Sequence, residues 1–372
     1  MWGNVADADP QGAGALDRLR LIRTSGVGPV SYRQLVARFG SAGEAIAALP
    51  MLAQRGGGKP PQVPDAGVIR REMARVENLG ARYLFLDDLD YPALLGELEN
   101  APVALTLKGD AALLRRTAVA MVGARNASAA ACRFARELAH GLAEEGVAVV
   151  SGLARGIDTA AHTGALGAAM PSTIAAIAGG IDVIYPPENR ELQERIASEG
   201  LLIAEMPPGT EPHARLFPHR NRIIAGLALG TVVVEAVQKS GSLITARLAG
   251  EAGREVMAVP GSPLDPRTAG CNALIRDGAT LVQSAADILE QVRPIDARVV
   301  RAPGERFGAE PMADADDAAR RRVAGLLGPV PVSVDELIRQ AGCEPAAVQM
   351  VLLELELAGR LERHAGARVS LA

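Results

Sequence analysis

The chain has 372 residues, of which 48% are hydrophobic and 22% charged, and a formal net charge of −4. This length allows two or three domains and a sizeable core. The charge excludes a protein that is basic over its whole surface, so any nucleic-acid site has to be a local patch. The three cysteines are isolated, which favours a reducing compartment and predicts a cytoplasmic protein.

Residues 1–15 are predicted to be a flexible tail. They contain no basic region followed by an apolar core, so we do not expect them to be a signal peptide. No apolar run is long enough for a transmembrane helix, so we expect no membrane association. Residues 16–80 show helical patterns around the turn Gly26-Val27-Gly28-Pro29, which resembles a helix-hairpin-helix. The amides of such a turn can hold a DNA phosphate, but a plain helical hairpin fits the same pattern.

Residues 81–291 are predicted to form the main domain, because strand candidates alternate there with helical patterns. This alternation indicates an α/β fold with a mostly parallel sheet covered on both faces. Ligands of such sheets bind beyond the carboxyl ends of the strands. The segment after the short strand candidate Tyr83–Leu86 is predicted to be an irregular connector. The main strand candidates are Ala118–Val122, Val147–Ser151, Thr173–Ala178, Leu201–Ala204, Thr231–Glu235 and Glu255–Val259.

Residues 292–316 lack apolar periodicity and are predicted to be a linker. Residues 317–372 contain three helical patterns followed by two short strands, an order typical of a winged helix. Such modules bind DNA in some proteins and another protein surface in others, and the sequence leaves both alternatives open. The predicted wing carries Arg360, Arg363, His364 and Arg368.

Four turns after the predicted strands carry groups suited to phosphates, and the second of them offers the free backbone N–H groups of a strand–turn–helix segment. They are residues 123–128, 151–156, 217–224 and 240–245. Arg125 offers a planar fork of donors, and Ser240 can cap a helix or bind an anion. Each residue has a plainer alternative: Ser240 as a helix cap, Arg222 as an ion-pair partner and Phe217 as a core residue. Together, these four turns with one aromatic ring favour a groove for single-stranded nucleic acid.

Several classes of enzyme are not indicated by the sequence. It contains no GxxxxGK[ST] phosphate loop, no GxGxxG after the first main strand and no GxSxG nucleophile turn. His213 and His219 lie in no HExxH frame and near no cysteine. We therefore expect no catalytic residues, no metal and no cofactor.

The motifs VGARNAS, VVSGLARGIDTAAHTGAL, IAAIAGGIDVIYPPENREL, LIAEMPPG, FPHRNRIIAGLA, VVVEAVQKSGSLITARLA and VMAVPGSP occur in this order. Together they resemble the DprA/Smf family over about residues 81–290. The resemblance implies an extended Rossmann-like fold and a cytoplasmic protein that is not an enzyme. It also implies binding of single-stranded DNA, loading of RecA recombinase in natural transformation and homologous recombination, and a homodimer formed through this domain.

The resemblance also implies which residues contact DNA. Two positions depart from the family pattern: Ala124 replaces a common threonine or serine, and His219 replaces a common basic residue, for which Arg215 could compensate. Arg155 could brace its turn instead of contacting DNA. The candidate DNA-binding residues are Gly123, Arg125, Ser151, Gly152, Arg155, Arg215, Phe217, Arg220, Asn221, Arg222, Ser240, Gly241 and Ser242.

One alternative from another functional class is a nucleotide-processing enzyme of the lysine-decarboxylase-like phosphoribohydrolase type, which has a similar sheet. Such enzymes carry a PGGxGT turn followed by a catalytic glutamate. The corresponding segment here is KSGSLITA, and no acidic residue follows it before Glu251.

Overall fold

The computed structural model describes residues 10–299, 314–364 and 366–372. These residues group into two compact units. The sheet unit contains the described residues from Glu72 onward as far as 299. The terminal unit contains the described residues up to Arg71 together with those after residue 313.

The sheet unit is built on nine strands in the order β1-β2-β6-β5-β4-β3-β7-β8-β9. The seven strands β6, β5, β4, β3, β7, β8 and β9 pair in parallel, whereas β1 and β2 form an antiparallel edge. The predicted fold class is thereby confirmed. The strands are β1 (Arg82–Phe85), β2 (Ala104–Gly109), β3 (Ala118–Val122), β4 (Ala148–Ser151), β5 (Thr173–Gly180), β6 (Leu201–Met206), β7 (Gly230–Val233), β8 (Glu255–Ala258) and β9 (Thr280–Leu281).

Both faces of the sheet are buried, as the apolar runs in the strands require. Along β3, Ala118, Ala120 and Val122 face one hydrophobic core, and Val119 and Met121 face the other. The α-helices that lie wholly in the sheet unit are α5 (Ala93–Gly96), α6 (Ala129–Glu144), α7 (Ile157–Leu166), α8 (Arg190–Glu199), α9 (Leu216–Leu227), α10 (Gly241–Glu251), α11 (Ala269–Arg276) and α12 (Ala285–Val299). They contribute to these two cores or, in the case of α8, to a third core around Ile196.

The terminal unit combines helices from the start of the chain with a winged helix from its end. The winged helix has a three-stranded antiparallel sheet in the order β10-β12-β11. The helices from the start of the chain are α1 (Pro10–Ile22), α2 (Pro29–Phe39) and α3 (Ala42–Arg55), and α4 (Ala66–Asn78) contains the boundary between the two units. The winged helix consists of α13 (Asp317–Leu326), β10 (Val332–Ser333), α14 (Val334–Ala341), α15 (Pro345–Leu357), β11 (Leu361–His364) and β12 (Arg368–Leu371).

Four segments differ from the sequence-based expectations. The predicted connector contains the strand β2, which pairs with both β1 and β6, and the segment around Phe217 is the helix α9 where a turn was expected. Residues 10–15 of the predicted tail belong to α1, and α12 continues to Val299, into the predicted linker. Residues 1–9 of the tail and 300–313 of the linker lie outside the described residues.

None of the described helices is by itself long and apolar enough to cross a membrane. The pair α2 and α3, bent by 103°, passes on length and composition alone.

A glycine in α7 permits its close packing against α6, and substitutions here test this contact. A Cβ at Gly164 would lie 2.2 Å from the carbonyl oxygen of Arg136. We therefore expect Gly164→Ala to lower the free energy of unfolding by about 1–3 kcal/mol. The matched helical control is Gly250→Ala, because a Cβ at Gly250 would lie 3.8 Å from Val256, an ordinary contact. This substitution should raise the free energy of unfolding by about 0.5–1 kcal/mol through helix propensity. Urea unfolding of the full chain measures both, and equal effects would contradict the packing argument.

Candidate nucleic-acid interface

A cleft of about 900 Å³ lies at the carboxyl ends of β3 and β7. From β3 the chain builds the sheet outward through β4, β5 and β6, then returns to place β7 on the other side of β3. Ligands of parallel sheets bind at such a reversal of strand order. The cleft brings together eight of the predicted residues: Gly123, Arg125, Phe217, Arg220, Asn221, Ser240, Gly241 and Ser242.

The helical geometry of α9 decides which of its residues face the cleft. Phe217, Arg220, Asn221 and Ile224 all line it, and their spacing of i, i+3, i+4 and i+7 defines one helical face. Arg222 does not line the cleft. It is 6% exposed and its Nη2 donates to Oε1 of Glu205 at 2.6 Å. Arg222 is therefore an ion-pair partner, which the sequence analysis gave as the alternative to DNA contact.

An aromatic and cationic cluster forms one wall of the cleft. The guanidinium of Arg125 lies over the ring of Phe217, 4.9 Å from the centroid. The ring of Tyr185 packs against Phe217 with centroids 5.7 Å apart and is 43% exposed. Sequence reasoning missed Tyr185, although it stands in the quoted stretch IDVIYPPENREL after the third main strand candidate. The wall therefore offers two aromatic rings beside an exposed arginine.

Arg220 is buried at the base of the cleft. Its Nη1 donates to the carbonyl oxygen of Ala176 at 3.0 Å. The guanidinium lies against Gly152, where a Cβ would be 1.5 Å from Nη1, so no larger residue fits beside this arginine. Burial lowers the pKa of Arg220 to about 10, with Asp158 opposing the shift and Arg125 adding to it. Arg220 therefore keeps its positive charge at neutral pH.

Asp158 supplies the buried negative charge beside Arg220. Its Oδ2 accepts hydrogen bonds from the backbone N–H groups of Gly152 (3.2 Å) and Ala154 (3.3 Å). Burial raises the pKa of Asp158, whereas Arg220 and the two amides lower it. The amides that the sequence assigned to a phosphate are thus bonded to a carboxylate of the same turn.

The remaining predicted residues do not line the cleft. Ser151 is fully buried and its Oγ donates to the carbonyl oxygen of Met121 at 2.6 Å. Arg155 is exposed and forms an ion pair with Glu188, which raises the pKa of Arg155 and lowers that of Glu188. Arg215 is exposed just before the first residue of α9. None of these three side chains therefore lines the cleft, although Arg155 lines a smaller adjoining pocket together with Arg125 and Tyr185.

Another wall of the cleft is formed by the first turn of α10 and by Ser240, which directly precedes this helix. Ser240 caps the helix, since its Oγ accepts from the N–H of Ser242 at 3.3 Å and lies 2.8 Å from the Oγ of Ser242. A Cβ at Gly241 would meet no atom within 4 Å among the described residues. The positive end of the helix and its hydroxyl groups therefore lie at the cleft, an arrangement that favours an anion.

His162 holds the turn behind Arg220 in shape. Its Nε2 accepts from the N–H of Leu153 at 3.3 Å, and its Nδ1 lies 2.7 Å from the Oγ1 of Thr173. Because that hydroxyl donates to Val149, it must accept from Nδ1–H, which assigns the neutral tautomer of His162. Leu153 has a φ of 55°, a strained conformation that its buried surroundings maintain.

Acid should weaken this turn, because protonation would place a hydrogen on the nitrogen that accepts from Leu153. Burial lowers the pKa of His162 to about 3, whereas the unfolded side chain titrates near 6.5. Between these values the unfolded chain binds more protons. Stability from this group is therefore lost as the pH falls from about 6.5 towards 3, by up to about 1.4 kcal/mol per pH unit.

His162→Gln tests this pH dependence, because glutamine can make both hydrogen bonds without titrating. We expect the difference in unfolding free energy between wild type and variant to shift in favour of the variant as the pH falls from 7.5 to 5. Because the pKa of Asp158 is raised, this group adds to the free energy of unfolding as the pH falls, opposite to the effect of His162. Asp158 is present in both proteins, so its effect cancels in the difference between them. A difference that stays constant with pH in urea unfolding would contradict the assignment.

Three family models match this chain in order. Residues 82–293 match the family described as DNA recombination-mediator protein A. Residues 13–74 match the DprA-like N-terminal HHH domain, and residues 308–367 match the DprA winged helix domain. The first match alone covers more than half of the chain.

Similar proteins agree with these matches. DNA processing protein DprA of Streptococcus pneumoniae is 47% identical over 209 residues, which cover 56% of this chain and 73% of the relative. Protein Smf of Synechocystis is 31% identical over 93% of this chain and 96% of its own length. The crystal structure of the pneumococcal protein aligns with a TM-score of 0.59 and 36% identity, covering 74% of this chain and 96% of the other. A structure of DNA processing protein A from Helicobacter pylori, described for its single-stranded DNA binding mode, aligns with a TM-score of 0.52 and 29% identity over 57% of this chain and 96% of the other. The chain belongs to the DprA/Smf family.

Proposed function

We propose that the cleft binds single-stranded DNA without sequence preference. The contact between Arg125 and the ring of Phe217, in a cleft that also holds the first turn of α10, carries this proposal. A base can stack on an aromatic ring while its phosphate meets a guanidinium and a helix N-terminus. Such contacts depend on charge and on the π face that every base has, so they discriminate little between sequences.

Relatives support a role of this kind. The solved protein from Helicobacter pylori binds single-stranded DNA by its description, and the pneumococcal relative is a DNA processing protein. We propose the corresponding role here, in natural transformation and homologous recombination. The proposal includes three further properties, namely loading of RecA onto the bound strand, a homodimer formed through the sheet unit and a cytoplasmic location. The family resemblance supports all three.

A binding function fits the cleft better than hydrolysis does. Among the described residues that line it, Asp158 is the one carboxylate, and two backbone amides and Arg220 already compensate its charge. A phosphoribohydrolase would need an acidic group free to act on a nucleoside monophosphate. Release of free base from nucleoside monophosphates by the full chain would favour the enzyme instead.

Arg125→Ala should weaken single-strand binding and reduce its salt dependence. Each phosphate neutralised on a single strand contributes about 0.7 to the slope of log affinity against log salt, so the slope should fall by about this amount. The matched control is Arg195→Ala, which removes an exposed arginine of α8 that is paired with Glu199. A salt titration of oligonucleotide binding measures both. Equal slopes in the two variants would contradict the role of Arg125.

Phe217→Leu should weaken binding without changing the salt slope, because it removes a stacking surface but no charge. Loss of one stacked base corresponds to about 1–3 kcal/mol of binding free energy. Phe217→Tyr keeps the ring and should bind as wild type does. If leucine binds as tightly as tyrosine in the same assay, the ring does not stack a base.

A further inference from the structure

The middle of the helix that enters the major groove in DNA-binding winged helices is buried here over its whole circumference. That helix is the second of the helix-turn-helix pair, α15 in this chain. Its six consecutive residues Met350–Leu355 are each at most 4% exposed. Because 3.6 residues complete a helical turn, six buried positions in a row leave no free face. In addition, α15 carries two glutamates and neither lysine nor arginine, a composition unlike that of a helix that binds DNA.

The N-terminal helical domain covers the side of α15 that the winged helix leaves open. Helices α13 and α14 and strand β11 pack on α15 from its own domain, and α3 packs on it from the N-terminal domain. Two glycines after α3 permit the close approach. A Cβ at Gly56 would lie 2.1 Å from the carbonyl oxygen of Glu354, and one at Gly58 would lie 2.4 Å from that of Ala358. Any larger residue at either position would force the two domains apart.

Polar contacts fix the register of this interface. Arg360 donates from Nη1 to the carbonyl oxygen of Gly56 at 3.1 Å. The amide of Gln34 in α2 donates to the Oε1 of Gln349 at 3.1 Å. Both bonds join residues more than 300 positions apart in the chain. One arginine of the predicted wing region is therefore engaged with the N-terminal domain.

A charged network crosses the same interface. Glu354 is 1% exposed and forms two hydrogen bonds with Arg320 of its own domain, at 2.8 and 2.9 Å. Arg55 from the end of α3 lies 3.9 Å from Glu354 and 3.1 Å from Asp314. A buried carboxylate needs such partners, and one of the two arginines that surround Glu354 comes from the N-terminal domain.

We infer that the winged helix is a docking module whose partner is the N-terminal helical domain of the same chain, and that it does not read duplex DNA. The interface also reaches Gly26, the first residue of the Gly26-Val27-Gly28-Pro29 turn, since a Cβ there would lie 3.6 Å from the carbonyl oxygen of Glu356, whereas a Cβ at Gly28 meets no described atom within 4 Å. Each terminal domain thus covers a part of the other that resembles a DNA-binding element. The two domains form one structural unit.

Hydrogen exchange on the full chain tests the contact. Gly58→Val inserts a side chain into the interface, whereas Gly28→Val places the same side chain in the same domain, where a Cβ meets no described atom within 4 Å. We expect Gly58→Val to lower amide protection in residues 345–357 by about tenfold or more, with the strands of the sheet unit unchanged. Gly28→Val should leave α15 protected. Equal protection of α15 in the two variants would overturn the inference.

A cross-link tests the same contact without disturbing it. Gln34→Cys with Gln349→Cys, in a chain where Cys132 and Cys343 are replaced by serine, should react with a short bis-maleimide to give a cross-linked monomer. The cross-linked protein should bind single-stranded and duplex oligonucleotides as the unreacted protein does. Failure to cross-link, or a cross-link between two chains, would overturn docking within one chain. Loss of duplex binding on cross-linking would overturn the claim that α15 does not read DNA.

Discussion

The cleft depends on keeping the guanidinium of Arg220 charged in a buried position. Removing an ion from water costs several kcal/mol unless nearby groups compensate. Here Asp158 supplies the opposite charge, Ala176 accepts a hydrogen bond and Gly152 leaves the space that the guanidinium occupies. Each of these groups belongs to a different part of the sheet unit. Arg220 of α9 therefore fixes the turn after β4 against the middle of β5.

The sequence predicts the framework of the cleft better than the role of each residue in it. All six main strand candidates are present, because apolar runs between helical patterns determine a parallel sheet with little ambiguity. The segment around Phe217 was expected to be a turn, and a turn gives no reason to separate Arg220 from Arg222. As a helix it places residues two apart about 200° from each other, so one arginine faces the cleft and the other Glu205. The proline at position 218 and the short spacing of charged residues concealed this periodicity.

The turn after β4 shows a second limit of sequence reasoning. Glycine and serine in a strand–turn–helix segment indicate free amides, but sequence does not show which of these amides are already bonded. Asp158 accepts from two of them, and the hydroxyl of Ser151 is used by Met121. The pattern that suggests a phosphate-binding turn is here an internal carboxylate-binding turn. In the proposed function, this turn positions Arg220.

The distribution of acidic partners identifies the arginine best suited to a phosphate. Arg155 pairs with Glu188, Arg222 with Glu205 and Arg267 with Asp265, while Asp158 lies beside Arg220. Among the described cleft arginines, Arg220 is buried and donates to the carbonyl oxygen of Ala176, whereas the side chain of Arg125 is exposed and has no carboxylate of a described residue within ion-pair distance. An arginine already paired would have to give up that partner to bind a phosphate, and the exchange would gain little free energy. In the proposed function, a chain with a net charge of −4 binds an anionic strand because acidic groups neutralise Arg155, Arg222 and Arg267 and leave Arg125 exposed in the cleft.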